Sequence, residues 1–146
     1  MRNTDQRARW RMDEEAEERE RPQVVLAEDN LEMRKMLVST LRGDGYTVIE
    51  IPDGTQLLHY LATHTSTETH EPPIDLIISD LRMPGRSGLE VLAGLRMNDC
   101  ATPFILLTAF GDRQTHEDAR RLGATAVFDK PLDLDDLRTV VWNMLP

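Results

Sequence analysis

A single cysteine, Cys100, stands in this chain of 146 residues. No disulfide can form within the chain, no cysteine-based zinc framework can be assembled, and a reducing compartment is the natural expectation. Positive charge is also in short supply. Seventeen Lys and Arg face 26 Asp and Glu, a formal net charge of -9, and binding to nucleic acid phosphates depends on clustered basic residues. Direct nucleic acid binding is therefore not expected. Long apolar runs are missing too: the stretch at residues 104–107 falls far short of the roughly 18 residues that a membrane span needs. The segment at residues 13–20 is acidic where a signal peptide would need an apolar core. A cytoplasmic protein with no membrane association is the expectation, and the length suits one ordinary domain with its own core.

What is present divides at Pro22. Residues 1–22 hold six Arg and seven Asp or Glu, with Trp10 and Met12 as the large apolar side chains, a composition that cannot build a core. Arg11 with Glu15 and Glu17 with Arg21 stand at the i,i+4 spacing that supports a frayed helix. A charged tail, disordered or partly helical, is predicted for 1–22 and a folded domain for 23–146. Within the domain, short β-branched apolar runs at 24–27, 47–51, 74–79, 104–107 and 125–128 alternate with segments of helical period. Helical faces are carried by Met33, Met36, Leu37 and Leu41, by Leu57, Leu58 and Leu61, and by Leu89, Val91, Leu92 and Leu95. Two further helices are predicted at about 112–122, ending at Gly123, and about 134–144 behind an Asp133 N-cap. Strict alternation of five strands and five helices predicts an α/β fold, a doubly wound parallel sheet with helices on both faces. Its ligand site belongs at the carboxyl ends of the strands, at the topological switch point.

Those strand ends deliver polar residues: Glu28 and Asp29 after the first, Asp80 after the third, Thr108 after the fourth and Lys130 after the fifth. Two carboxylates about 4 Å apart repel by roughly 4 kcal/mol at an effective dielectric of 20, so an acidic cluster calls for a cation. Mg²⁺ answers with oxygen ligands and retained waters. Lys130 supplies a fixed charge and the Thr108 hydroxyl a donor to a phosphoryl oxygen. Asp80, at the end of the central apolar strand and followed by a Pro84-Gly85 loop, is the carboxylate placed to act as nucleophile.

Glu28-Asp29-Asn30, Ile78-Ser79-Asp80-Leu81-Arg82-Met83-Pro84, Leu106-Leu107-Thr108-Ala109 and Asp129-Lys130-Pro131, in this order and spacing, resemble the response-regulator receiver family over residues 23–146. The resemblance implies a flavodoxin-like sheet of strand order 2-1-3-4-5, with Asp80 as the phosphoacceptor and Thr108 and Lys130 holding the phosphoryl group. It implies Mg²⁺ bound by Glu28, Asp29, Asp80 and the Arg82 backbone carbonyl, and a cis Lys130-Pro131 bond. A sensor histidine kinase or phosphotransfer protein would be the donor. The output would be a protein partner met at the fourth-helix, fifth-strand and fifth-helix face. Such a chain is a switch that catalyses only its own phosphorylation and dephosphorylation, not an enzyme in the ordinary sense. With no output domain following, a stand-alone regulator is expected; the alternatives are a receiver fragment of a larger regulator or hybrid kinase, and a constitutive pseudo-receiver.

Two positions depart from the family's pattern. Val127 stands where an aromatic switch residue is common, and Phe128 next to it should face the other side of the sheet. Phe110 and Arg82 flank the phosphoacceptor at variable positions, and the bulk of Phe110 predicts a shielded, slowly hydrolysing phosphoryl group. Taken singly, Asp80 reads as a turn former, Thr108 and Lys130 as ordinary strand-end residues, and Glu28-Asp29-Asn30 as a helix cap with Asn30 as its capping side chain. Their combination carries the functional reading. A phosphatase with an Asp nucleophile would need an acid two residues on, where Arg82 stands. His59, His64, His70 and His116 share no metal-binding spacing and are expected to face solvent; Trp142 and Met144 are expected to pack at the core or its rim.

Overall fold

Five strands alternate with five helices in the computed structural model, which is described here for residues 21–64, 73–109 and 111–146. The first twenty residues, and with them almost all of the expected charged tail, lie outside the described residues. Strand β1 (Gln23–Ala27) leads to α1 (Leu31–Gly43), β2 (Thr47–Ile51) to α2 (Gly54–His64), and β3 (Leu76–Asp80) to α3 (Gly88–Met97). Then follow β4 (Phe104–Thr108), α4 (Arg113–Arg121), β5 (Ala126–Asp129) and α5 (Leu134–Met144). All pairings are parallel, in the order β2-β1-β3-β4-β5. This is the flavodoxin-like α/β arrangement, and its chain order reverses between β1 and β3.

Every residue of β3 and β4 is buried, as expected of central parallel strands covered on both faces. Strand alternation sorts the core in two. Val24 and Leu26 of β1 pack with Leu37 and Leu41 of α1 and Leu137 and Val141 of α5. Val25 and Ala27 pack with Leu57 and Leu61 of α2, Val91, Leu92 and Leu95 of α3, and Ala119 of α4. Val127 lies on this second side and Phe128 on the first, so the opposed orientation predicted for the two holds.

Side chains fix where the helices begin. Asn30 accepts from the Met33 N–H at 2.9 Å, Ser87 from Glu90 at 3.1 Å and Asp112 from Thr115 at 2.7 Å. Asp133 accepts from both Asp135 and Asp136. Each cap satisfies amides that the first turn leaves without a partner. Strand boundaries differ slightly from the sequence expectation. β3 opens at Leu76 rather than Ile74, because Asp75 meets the start of β1 with its side chain, accepting the Gln23 N–H at 2.8 Å. Trp142, expected to pack, is 69% exposed on the outer face of α5, while Met144 packs against the first cluster. No helix among the described residues is long and apolar enough to cross a membrane.

Candidate functional site at the carboxyl ends of the strands

Parallel pairing brings the ends of β1, β3, β4 and β5 to one edge, and five side chains meet there. Glu28 follows β1 with its backbone N–H tied to Ile51 O at 3.1 Å and its carbonyl accepting from Arg34 Nη1 at 2.8 Å. Those bonds hold it inward, and it is wholly buried, whereas Asp29 beside it is exposed. Asp80 ends β3 almost fully buried, and Gly88 packs against its carbonyl so closely that a Cβ there would come within 2.3 Å. Oxygens of Glu28, Asp29 and Asp80 all lie within 4.8 Å of one another. Thr108, buried, ends β4.

Lys130 reaches in from the end of β5. Its backbone N–H donates to Thr108 O at 2.8 Å, and the Lys130-Pro131 bond is cis, as the resemblance implied. Its Nζ stands 2.7 Å from Asp80 Oδ1 and donates to Glu28 at 3.2 and 3.3 Å. The approach to Asp80 is short but poorly aligned. Neither Asp80 oxygen, both closed off from solvent, has a hydrogen bond of good geometry. Burial, and then contact with Glu28, push the Asp80 carboxyl up to about 8 against the pull of Lys130. Burial opposes the charge on Lys130, but its contacts with Asp80 and Glu28 outweigh that and raise it. A cavity of about 180 Å³ opens over the cluster, lined by Asp80, Leu81, Arg82, Leu107, Thr108, Ala109 and Lys130. Glu28, Asp29, Asp80, Arg82, Thr108 and Lys130 thus converge on one place. Phe110 lies outside the described residues, and the expectation of a shielded phosphoryl group with it.

Sequence reasoning missed a second polar group beside this site. His116 was expected to face solvent. Instead its ring is three-quarters covered and its Nε2 lies 2.8 Å from Asp129 Oδ1. His64 is also partly covered, stacked on Tyr60 with ring centroids 3.9 Å apart, while His59 is exposed. His70 lies outside the described residues.

A doubly wound sheet with an acidic cluster and a lysine at its switch point defines a phosphoryl-handling class of α/β protein. The chain belongs to the response regulator receiver domain family, matching it over residues 24–142, and is a receiver domain of two-component signal transduction. It is 29% identical over 123 residues to the sporulation initiation phosphotransferase F of Bacillus subtilis, covering 84% of this chain and 93% of that protein. It is 36% identical over 115 residues to the transcriptional regulatory protein PdtaR of Mycobacterium tuberculosis, 78% of this chain but 52% of that one. Among solved structures, the response regulator protein TrrA of Thermotoga maritima, in complex with Mg(2+)-BeF, superposes with a TM-score of 0.71 at 26% identity. That match covers 85% of this chain and 99% of the other. Receiver domains are phosphoacceptor switches served by histidine kinases or phosphotransfer proteins.

Proposed function

We propose that this protein is a phosphorylation-activated switch of the cytoplasm that takes a phosphoryl group on Asp80 from a sensor histidine kinase or phosphotransfer protein and signals by binding another protein. The observation that carries this reading is Asp80 itself: a buried carboxylate with both oxygens lacking good hydrogen bonds, beside two further carboxylates, one ammonium and an open cavity. A purely structural aspartate in such a place would be hydrogen-bonded. Three carboxylates against one lysine also leave negative charge uncompensated, and a hard divalent cation with oxygen ligands fits that donor set. Glu28, Asp29, Asp80 and the Arg82 carbonyl are the groups that would hold Mg²⁺, which when bound supplies positive charge for the phosphoryl oxygens.

The chain's own groups account for the rest. An Asp80 oxygen attacks phosphorus, the bond from phosphorus to the donor's histidine nitrogen breaks, and the electron pair stays on that imidazole. Asp80 attacks in its ionised form, so the proton that burial favours there must leave first, and positive charge from Lys130 and a bound cation favours that loss. Lys130 Nζ and the Thr108 hydroxyl would hold two of the phosphoryl oxygens, and Lys130 favours the ionised, nucleophilic form of Asp80. Signalling follows if phosphorylated and unphosphorylated forms differ in shape and the partner prefers one, with the α4, β5 and α5 face as the surface offered.

The test is to incubate the protein with magnesium and acetyl phosphate and record intact mass for wild type, Asp80→Asn and a metal-free control. A gain of one phosphate in wild type with magnesium alone is the expected result. A folded wild type that gains nothing would point instead to a constitutive interaction module.

A further inference from the structure

Among the five helices, α4 has the weakest apolar anchor. Ala119 is its one buried residue, whereas α1 buries Leu37, Val38 and Leu41 and α5 buries Leu137 and Val141. A methyl group holds a helix to a sheet far less firmly than leucines do. The N-terminal half of α4 is held to the sheet by polar contact instead. Asp129 accepts from His116 at 2.8 Å; a carboxylate can only accept, so Nε2 carries the proton. The same carboxylate closes over Gly111 in the loop that leads into α4. A Cβ there would sit 1.7 Å from Oδ1 and 2.3 Å from Cγ, so a side chain at that point would have to displace the Asp129 carboxylate. Asp129 is meanwhile part of the strand end that carries the phosphoacceptor machinery. It pairs with Thr108 across β4 and β5, and the next residue is Lys130, bonded by its N–H to Thr108 O.

We propose that the His116–Asp129 hydrogen bond couples the Asp80 site to α4, with both residues as positioning residues. The inference rests on Asp80 being the phosphoacceptor. Lys130 Nζ is now shared between Asp80 and Glu28, and a phosphoryl group would draw it away. Whatever the strand end does in response reaches Asp129 directly. Asp129 cannot shift without carrying or releasing both His116 and the loop at Gly111, and one buried methyl offers α4 little resistance. The coupling is reciprocal: a partner that fixes α4 in one position biases Lys130.

Hydrogen exchange of the α4 amides, with and without magnesium and acetyl phosphate, tests this, with phosphate uptake scored by intact mass in the same samples. The proteins are wild type, His116→Ala, Asp129→Ala and His116→Gln, whose amide can donate in place of Nε2. All should gain one phosphate. Before phosphorylation, α4 in His116→Ala should exchange about fivefold faster than in wild type, the effect of one net hydrogen bond. Phosphorylation should change α4 exchange in wild type and His116→Gln, and that response should be lost in His116→Ala and Asp129→Ala. A phosphorylated His116→Ala that responds in α4 as fully as wild type overturns the coupling and leaves the phosphoacceptor reading intact. A wild type that takes up no phosphate overturns that reading, and the coupling falls with it.

Discussion

Lys130 holds two buried carboxylates in place at once, 2.7 Å from Asp80 and 3.2 Å from Glu28. In Lys130→Ala both would remain buried with that ammonium gone. Breaking a buried pair costs about 3–5 kcal/mol, and partial exposure of the lysine places this case near about 2–3 kcal/mol. Urea unfolding without metal at neutral pH should show that loss, and magnesium should restore part of it while phosphate uptake stays impaired. An unchanged midpoint would mean that Lys130 compensates neither carboxylate. The residues of this site were legible in the sequence because each ends a strand, and the ends of parallel strands converge whatever the side chains do. Two details were not. Asp29 and Glu28 are neighbours with opposite exposures, decided by backbone bonds from Glu28 to Ile51 and Arg34. His116 and Asp129 meet across a helix and a strand 13 positions apart, and hydrophobic period carries no information about such lateral alignment.

At the scale of elements, apolar spacing predicted the inner faces of three helices, through pairs such as Leu37 with Leu41 and Leu57 with Leu61, although Met36 and Leu58, read onto the same faces, are exposed. Helix α4, whose Asp112 cap emerged from the structure, was read only as a range ending at Gly123, because Arg-Gln-Thr-His-Glu-Asp-Ala-Arg-Arg has no apolar stripe to read. That lack has an energetic consequence. Leu137→Ala, in the tightly packed α5, should cost about 2–5 kcal/mol. Glu117→Ala, which removes only an exposed pair with Arg113 at 3.5 Å, should cost less than about 0.5 kcal/mol. Thermal unfolding of the two variants checks the contrast. A loss at Glu117 approaching that at Leu137 would show that charged contacts, not burial, hold the helical layer.

For the whole molecule, an acidic chain that gathers three carboxylates at one edge has a stability that depends on pH and, on the proposed reading, on magnesium as well. Asp80 titrates near 3.8 when unfolded and at about 8 in the metal-free fold, mainly through burial. Between those values the fold keeps a proton that the unfolded chain has released, so this group's contribution is complete below about pH 4 and is lost as pH rises towards 8. Arg138 acts in the opposite sense at the acid end: it lowers the Asp44 carboxyl, a contribution present above the ordinary carboxylate range and lost as pH falls through the lowered value. The metal-free protein should therefore be most stable on the acid side of neutrality. Magnesium competes with the Asp80 proton, so its stabilising effect should grow with pH. Calorimetric Tm values at about pH 5 and about pH 8 should show the metal-free protein losing at least about 1.4 kcal/mol, one pKa unit's equivalent, or about 4 °C. Magnesium should recover that loss at the higher pH and do little at the lower. Asp80→Asn, which has no proton to release, should flatten the pH dependence and raise the metal-free Tm at the higher pH. A magnesium effect of equal size at both pH values would mean that the ion binds without displacing that proton, and would remove Asp80 from its ligand set.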